Sequence, residues 1–115
     1  MVTMQKNFKF VRGDSLTFAF VVNDSTGEPL VVTEAYFSCK ANTDDLEYVF
    51  QKDLSDGIEL VNDRYNVRIA PEDTENLVAG IYYYDLEVVI DEDVYTLMIG
   101  KIDLLSDITR RVNNG

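Results

Sequence analysis

The sequence contains no histidine and no tryptophan, and Cys39 is its only cysteine. Without histidine the chain cannot form a serine triad, and without histidine or several cysteines it cannot form a zinc site of the usual kind. One cysteine also excludes a disulfide within the chain, and a catalytic thiol would lack the histidine that activates it. We therefore predict that Cys39 is a small core residue and that the protein is not an enzyme.

Proline and glycine are scarce as well, and no apolar run approaches the ~20 residues that cross a membrane as a helix. The first residues do not combine a basic segment with an apolar one, as a secretory leader does. We therefore expect no membrane partner, and we expect the chain to be made and folded in a cytoplasm.

Basic residues are the other shortage. The chain has 10 Lys and Arg against 21 Asp and Glu, which gives a formal net charge of −11. Such a surface repels nucleic-acid phosphates, so we expect no nucleic-acid partner. The acidity favours a solubilising surface, with a basic protein partner or a divalent-cation site as the alternatives.

Three acidic clusters fall at predicted turns, where solvated carboxylates are expected. Calcium takes about six to eight oxygen ligands, and none of the clusters has the spacing of an EF-hand loop. We therefore predict solvated loops and no metal or other cofactor. The clusters are Asp44-Asp45-Glu47, Asp53-Ser55-Asp56 and Asp91-Glu92-Asp93.

Aromatic and aliphatic residues are abundant and recur with a period of two. The run from Gly80 to Ile90 is the most aromatic of these segments. Its alternation predicts a central strand of an antiparallel sheet that packs one face on a core. One face carries Tyr82, Tyr84, Leu86, Val88 and Ile90, and the other carries Ile81, Tyr83, Asp85, Glu87 and Val89.

Similar runs separated by turn residues predict an all-β fold of about eight short strands. Pro71 to Leu77 differs, because proline suits the first helical position and acids follow it, so we predict one helical turn that crosses between sheets. We also predict a hairpin turned by Asp91-Glu92-Asp93 and a bend or bulge at Gly100 before a last strand. The other predicted strands are Asn7–Val11, Leu16–Val22, Ala35–Ala41, Leu46–Lys52, Ile58–Val61 and Tyr65–Ile69.

These elements predict one antiparallel β-sandwich over residues 1–115, with a core at 6–105 and an exposed tail at 106–115. The placement of Gly80 and Tyr82 after the helical turn is similar to the tyrosine corner of immunoglobulin-like sandwiches, in which a tyrosine near a strand start bonds back to the preceding crossing. Tyr84 then stands where an antibody domain has its second cysteine. We expect Tyr82 and Tyr84 in the core, and only Tyr83 is left for a surface.

Arg12-Gly13-Asp14 matches the integrin-binding tripeptide, but three residues are too few to indicate that function. A structural interpretation is favoured, in which Gly13 supplies a turn, Asp14 caps local amides and Arg12 reaches a neighbouring carboxylate.

Seven segments carry a resemblance to a known family: Phe10–Phe18, Asp24–Pro29, Ala35–Lys40, Asp56–Ile58, Pro71–Leu77, Gly80–Val88 and Ile102–Arg110. Together they resemble a small structural module of tailed phages, and the chain is similar to the amino-terminal domain of phage baseplate upper proteins. The likeness spans residues 8–110. It implies an immunoglobulin-like β-sandwich that docks a receptor-binding apparatus onto the virion, and it implies a structural turn at Arg12, Gly13 and Asp14.

We therefore expect a non-enzymatic virion component, in a tail, baseplate or capsid, that contacts other virion proteins through free sheet edges and its tail. A homo-oligomer is left open. The alternative is a module that binds host-surface carbohydrate or protein through its loops around Asp24–Pro29 and Asp91–Asp93. Its candidate interaction surface is Tyr83 with Asp91, Glu92 and Asp93, and the plausible exposed aromatics for a glycan are Tyr83, Tyr48 and Tyr95.

Overall fold

The computed structural model describes residues 2–109. These residues include nine strands and one helical turn, which are joined by loops and turns. The strands alternate buried and exposed side chains, as the period of two in the sequence requires. Their bounds are β1 (Met4–Gln5), β2 (Phe8–Val11), β3 (Leu16–Phe20), β4 (Glu34–Lys40), β5 (Phe50–Asp53), β6 (Ile58–Val61), β7 (Arg64–Ile69), α1 (Pro71–Thr74), β8 (Gly80–Ile90) and β9 (Asp93–Leu105).

The strands form two facing sheets, which confirms the predicted all-β sandwich. The larger sheet has the order β1-β9-β8-β4-β5, with β2 also paired to β9, and the smaller sheet has the order β3-β7-β6. Every pair is antiparallel except β1 and β2 with β9, which are parallel. Most of the chain separates these strands from β9, so no tight hairpin imposes an antiparallel direction on them.

The core lies between the sheets, and β8 is its central strand as predicted. Tyr82, Tyr84, Leu86 and Val88 are all buried on the inner face. The prediction for Cys39 is also confirmed, because its thiol is buried among them and burial raises the pKa of that thiol to about 12. The other large buried side chains include Phe37, Tyr65, Val67, Ile69, Ile102 and Leu104.

The predicted strand Leu46–Lys52 is wrong in its first half. Leu46 is 95% exposed, and pairing with β4 begins only at Phe50. The chain is still turning at this point, since the amide of Asn42 donates to the carboxylate of Asp45 and the amide of Asp45 donates back to the Asn42 carbonyl. The alternation of apolar residues in the sequence therefore extends into a loop that has no neighbouring strand, which made the predicted strand too long.

The bend predicted at Gly100 is also wrong, because β9 runs unbroken from Asp93 to Leu105. The irregularity lies earlier: Leu86 pairs with Met98, but Glu87 pairs with Thr96, which leaves Leu97 as the extra residue of a bulge. The hairpin turn is shorter than predicted and consists of Asp91 and Glu92, both at positive φ of 50° and 73°. Two such residues form the tight turn that matches strand twist.

The predicted helical turn is confirmed as α1, with Pro71 at its start. Asp73 accepts a hydrogen bond of 2.7 Å from the Ala70 amide and so satisfies a donor at the entry to the turn. The segment carries the chain from β7 of the smaller sheet to β8 of the larger one, as the sequence predicted. No helix within residues 2–109 is long and apolar enough to cross a membrane.

The first residues of the predicted exposed tail are partly held against the fold by an ion pair. Ser106, Ile108 and Thr109 are exposed, but Asp107 is half-buried and pairs with Arg12. The rest of the predicted tail, residues 110–115, lies outside the described residues.

Candidate binding surface

Arg12-Gly13-Asp14 forms a turn that is bound into the fold. The Arg12 guanidinium donates to the Asp107 carboxylate at 2.7 and 2.9 Å and to the Leu77 carbonyl at 3.1 Å. Gly13 has φ of +84°, which favours glycine, and its amide donates to the Thr74 hydroxyl. The Asp14 carboxylate is exposed and makes no hydrogen bond to any described residue, so the prediction that it caps local amides is wrong. The turn is closed instead by the Asp14 backbone amide, which donates to the Val11 carbonyl. The arginine is therefore not free to reach a receptor.

Tyr82 and Tyr84 use their hydroxyls to hold backbone. Tyr82 donates to the Val78 carbonyl at 2.5 Å, the hydrogen bond that a tyrosine corner requires, four residues back in the crossing from α1. Tyr84 stacks on Phe37 with ring centroids 4.9 Å apart and donates to the Lys6 carbonyl at 2.6 Å. Burial raises the pKa of Tyr84 to about 12, so this hydroxyl stays a donor at neutral pH.

Lys52 is a buried cation that the sequence did not reveal. Its ammonium lies 2.7 Å from the Asp73 carboxylate, and its side chain is only 7% exposed. The contact joins β5 of the larger sheet to the turn α1 that follows the smaller sheet. Gly57 leaves room for it, because a Cβ there would lie 2.6 Å from the Lys52 side chain and the glycine has φ of +97°. An alternating strand pattern treats lysine as an outward residue, so only the packing identifies this ion pair.

The outer face of the larger sheet carries polar and aromatic side chains in rows across its strands. We use "outer face" for the side that points away from the core. Tyr83 lies on this face, as predicted, and its neighbours come from strands far apart in sequence. The central row is Gln51, Ser38, Asp85, Ile99 and Gln5, the row on one side is Lys40, Tyr83 and Lys101, and the row on the other is Asp53, Tyr36, Glu87 and Thr96.

This face borders an open hollow with a volume of about 830 Å³. Tyr48, from the loop before β5, lies at one end of it, and Gln5 and Asn7 lie at the other. Five strands spaced ~4.8 Å apart make the hollow about 19 Å long across the sheet. The hollow is therefore an open groove along which an extended ligand could lie.

Aromatic rings and cations are paired along the groove. The Lys40 ammonium lies 5.4 Å from the centroid of the Tyr48 ring, and the Lys101 ammonium lies 6.0 Å from that of Tyr83. In each pair the ammonium lies over one face of the ring. The groove thus presents flat aromatic surfaces that are held in place.

Asp85 lies at the centre of the groove and has no hydrogen-bond partner within residues 2–109. Burial raises its pKa, and the nearby Lys40 ammonium opposes that rise. The neighbouring carboxylate Glu87 likewise accepts no hydrogen bond from a described residue. Both groups are therefore available as acceptors for a ligand.

The predicted interaction surface does not form a single patch. Tyr83 is in the middle of the outer face, whereas Asp91, Glu92 and Asp93 lie around the hairpin end of β8. Asp91 lies eight positions beyond Tyr83 along the chain, a distance of about 26 Å at ~3.3 Å per residue. Of the other two aromatics named for a glycan, Tyr48 lines the groove and Tyr95 packs against the core.

Of the two loops named for the alternative function, the Asp24–Pro29 loop satisfies its polar groups internally. In the Asp24–Pro29 loop the Asp24 carboxylate accepts hydrogen bonds from Thr26 and from the amide of Glu28. The Thr26 hydroxyl contributes most to lowering the pKa of Asp24.

Within the described part of the chain no group of three or more histidine, cysteine, aspartate or glutamate residues is placed to hold a metal ion.

Four strand edges bound the two sheets, and three of them carry charges. The edge formed by β1 and β2 carries Lys9, β5 carries the inward Lys52, and β6 carries Glu59. The fourth edge, β3, contains neither a charge nor a proline, and β7 is the one described strand that pairs with it. Natural sheets usually protect edges with such residues, so β3 stands out as unprotected.

Neither a scan against protein-family models nor a search of curated proteins gives a match to this chain. Within residues 2–109, the outer face and the β3 edge are the two surfaces that are suited to binding.

Proposed function

We propose that this chain is a non-enzymatic module of a tailed-phage particle that works through protein contacts, one of which joins two copies along β3. The resemblance of residues 8–110 to the amino-terminal domain of phage baseplate upper proteins supports the setting. The unprotected β3 edge supports the contact, because an exposed edge readily accepts another strand.

The chemistry around β3 favours a second copy as the occupant. The chain carries a net charge of −11, yet none of its acids lies on this strand. Across the smaller sheet, Thr17 pairs with Arg68 and Ala19 pairs with Asn66, so the exposed side of the edge is neutral or basic. Two copies can therefore approach here without the repulsion that their overall charge produces elsewhere.

Two-fold symmetry suits this contact. Two antiparallel β3 strands related by a two-fold axis present the same patch to each other, and the two three-stranded sheets become one continuous sheet. A five-residue strand buries little area, so the isolated pair is weak and is reinforced by the repetition of copies in a particle.

The test is solution mass by light scattering over a concentration series from about 10 μM to about 1 mM. We expect the mass to rise from monomer towards dimer across this range. Ala19→Lys places a charge on the exposed side of β3 and should keep the protein monomeric at every concentration. A wild-type protein that remains a strict monomer would overturn the β3 contact.

Val61→Lys is the matched control. It adds the same charge at another exposed edge position, on β6, and should leave the wild-type association unchanged. If Val61→Lys abolishes association and Ala19→Lys does not, the contact runs through β6 instead and the assignment to β3 is wrong.

A second candidate function is that of a host-surface carbohydrate-binding module. The hollow on the outer face favours this function. The carbohydrate site would then lie on the larger sheet and not on the loops that the sequence suggested.

A further inference from the structure

We propose that the groove on the outer face of the larger sheet binds a neutral saccharide chain. This inference rests on the second candidate function and narrows it to one class of ligand. It is independent of the β3 contact, because the groove lies on the opposite sheet and involves none of the β3 residues. The shape of the groove, its charge and its unpaired polar groups support a neutral saccharide.

The groove has the size of a ligand site. Its volume of about 830 Å³ falls within the range of about 300–1,000 Å³ that small-molecule sites occupy. Its length of about 19 Å across five strands suits an extended chain of several linked rings. The openness of a sheet face lets such a chain enter and leave at both ends, which suits a polymer more than a compact cofactor.

The charges in the groove select against an ionic ligand. Lys40 and Lys101 balance Asp85 and Glu87, so these four lining groups have no net charge in a protein whose total is −11. A strongly anionic ligand would meet the two carboxylates, and a strongly cationic one would meet the two ammonium groups. A neutral, polar ligand matches this arrangement best.

The backbone of the groove argues against a peptide. The floor is made of β8, β4 and β9, whose amides and carbonyls are already paired with neighbouring strands, so they cannot pair with an added strand. Ile99 is the one large aliphatic side chain among the lining residues, so no apolar pocket is present for peptide anchors.

The side chains that remain fit the two faces of a sugar ring. The carbon-bound hydrogens of a ring can pack on the flat faces of Tyr83 and Tyr48, which stand on either side of Lys40. Sugar hydroxyls donate hydrogen bonds, and the unpaired carboxylates of Asp85 and Glu87 accept them. Gln51 and Gln5, at the ends of the central row, can both donate and accept.

The first experiment screens the full chain on an array of neutral, sialylated and sulfated oligosaccharides, and measures affinity for each hit by titration calorimetry. We expect binding to one class of neutral oligosaccharide of four or more rings. Tyr83→Ala and Asp85→Asn should each weaken that affinity by about tenfold, since each removes roughly one stacking or hydrogen-bonding contact.

Glu92→Gln is the matched control for Asp85→Asn, because it removes one carboxylate charge at the hairpin instead of in the groove. It should leave the affinity unchanged. If Glu92→Gln weakens binding and Asp85→Asn does not, the site lies on the loops and the groove proposal is wrong. Binding to anionic glycans alone, or no binding to any neutral glycan, also overturns it.

Weaker saccharide binding by Asp85→Asn cannot be explained by a loss of folding. Asp85→Asn removes a partly buried charge and should be at least as stable as the wild type, so a weaker affinity in this variant reflects the groove itself. Amide chemical-shift changes on adding the saccharide should map to residues around Tyr83, Lys101 and Gln51. Changes confined to the smaller sheet would contradict the proposal.

Discussion

Tyr84 and Gly100 lie opposite each other in the β8–β9 ladder, and both meet the carbonyl oxygen of Lys6. The Tyr84 hydroxyl donates to this oxygen at 2.6 Å, and a Cβ on Gly100 would lie 1.9 Å from it. The Lys6 amide donates to Ile99, and Asn7 accepts from the Lys101 amide. The residues that connect β1 and β2 therefore pack directly against Gly100 and are held by the hydrogen bond from Tyr84.

Gly100→Ala should displace this link, because backbone cannot yield as a flexible side chain does. We expect a loss of about 1–3 kcal/mol in the free energy of unfolding, as for other overpacked sites. Tyr84→Phe is the control that keeps the space and removes only the hydroxyl, at a cost of about 1 kcal/mol. Urea titrations of both variants test this, and an alanine that is tolerated without loss would show that the close approach is unimportant.

Tyr82→Phe should lower the free energy of unfolding by about 0.5–1.5 kcal/mol, since it removes the hydrogen bond to Val78 and leaves a half-satisfied carbonyl in the crossing. The control is Tyr83→Phe, one residue away on the outer face. The Tyr83 hydroxyl makes no comparable hydrogen bond to a described residue, so this variant should change the free energy of unfolding by less than about 0.5 kcal/mol. Thermal and urea unfolding of the pair measure the difference. Equal stabilities would contradict the tyrosine-corner role.

The Lys52–Asp73 ion pair should be strongly coupled, because Lys52 is buried and Asp73 is only 14% exposed. Asp73→Asn keeps an oxygen for the Ala70 amide but leaves the ammonium with only the exposed Asp56 carboxylate, which lies 3.9 Å away. We expect Asp73→Asn or Lys52→Met alone to cost about 2–3 kcal/mol, somewhat below a fully buried pair, and the double variant to recover part of that loss. A double-mutant cycle measures the coupling, and simple additivity of the two losses would disprove it.

Arg12→Ala should destabilise the fold by about 1.5–3 kcal/mol, because it removes hydrogen bonds to a carboxylate and to the Leu77 carbonyl. Asp14→Ala, in the same tripeptide, should change stability by less than about 0.5 kcal/mol. The comparison separates a structural turn from a receptor motif. A motif presented for a receptor would tolerate both changes equally in unfolding experiments.

Asp85 should make stability fall as pH rises through its titration. Its pKa is raised by burial in the folded state, so the folded protein holds this proton more tightly than the unfolded chain does. The loss begins near the unfolded value of about 3.9 and is complete above the raised folded value. Asp85→Asn should therefore have a slightly higher Tm than the wild type at neutral pH, with the difference vanishing at acid pH. A lower Tm for Asp85→Asn at neutral pH would contradict this.

Much of the fold was predictable because alternation is a local property. Tyr82, Tyr84, Leu86 and Val88 face the core as the period of two required, and Pro71 begins a helical turn where its fixed φ is suited to one. The same rule failed at Leu46, where an alternating run has no neighbouring strand to pair with. Of the candidate groove, the shared face of Tyr83, Asp85 and Glu87 was predictable from the alternation of β8, and Tyr48 was predictable only as an exposed aromatic. The other lining strands, β1, β4, β5 and β9, meet β8 only through the tertiary pairing.

The sequence alone determined the all-β class, the inward face of β8, the buried thiol of Cys39 and the absence of histidine-dependent chemistry. These depend on residue type and on spacing along one strand. Only the tertiary structure decided that Lys52 meets Asp73, that Gly100 lies beneath Lys6, that β3 is the unprotected edge and that Asp85 stands at the centre of a groove. Each of these depends on strand order and register between distant segments, which the periodicity of a single segment does not encode.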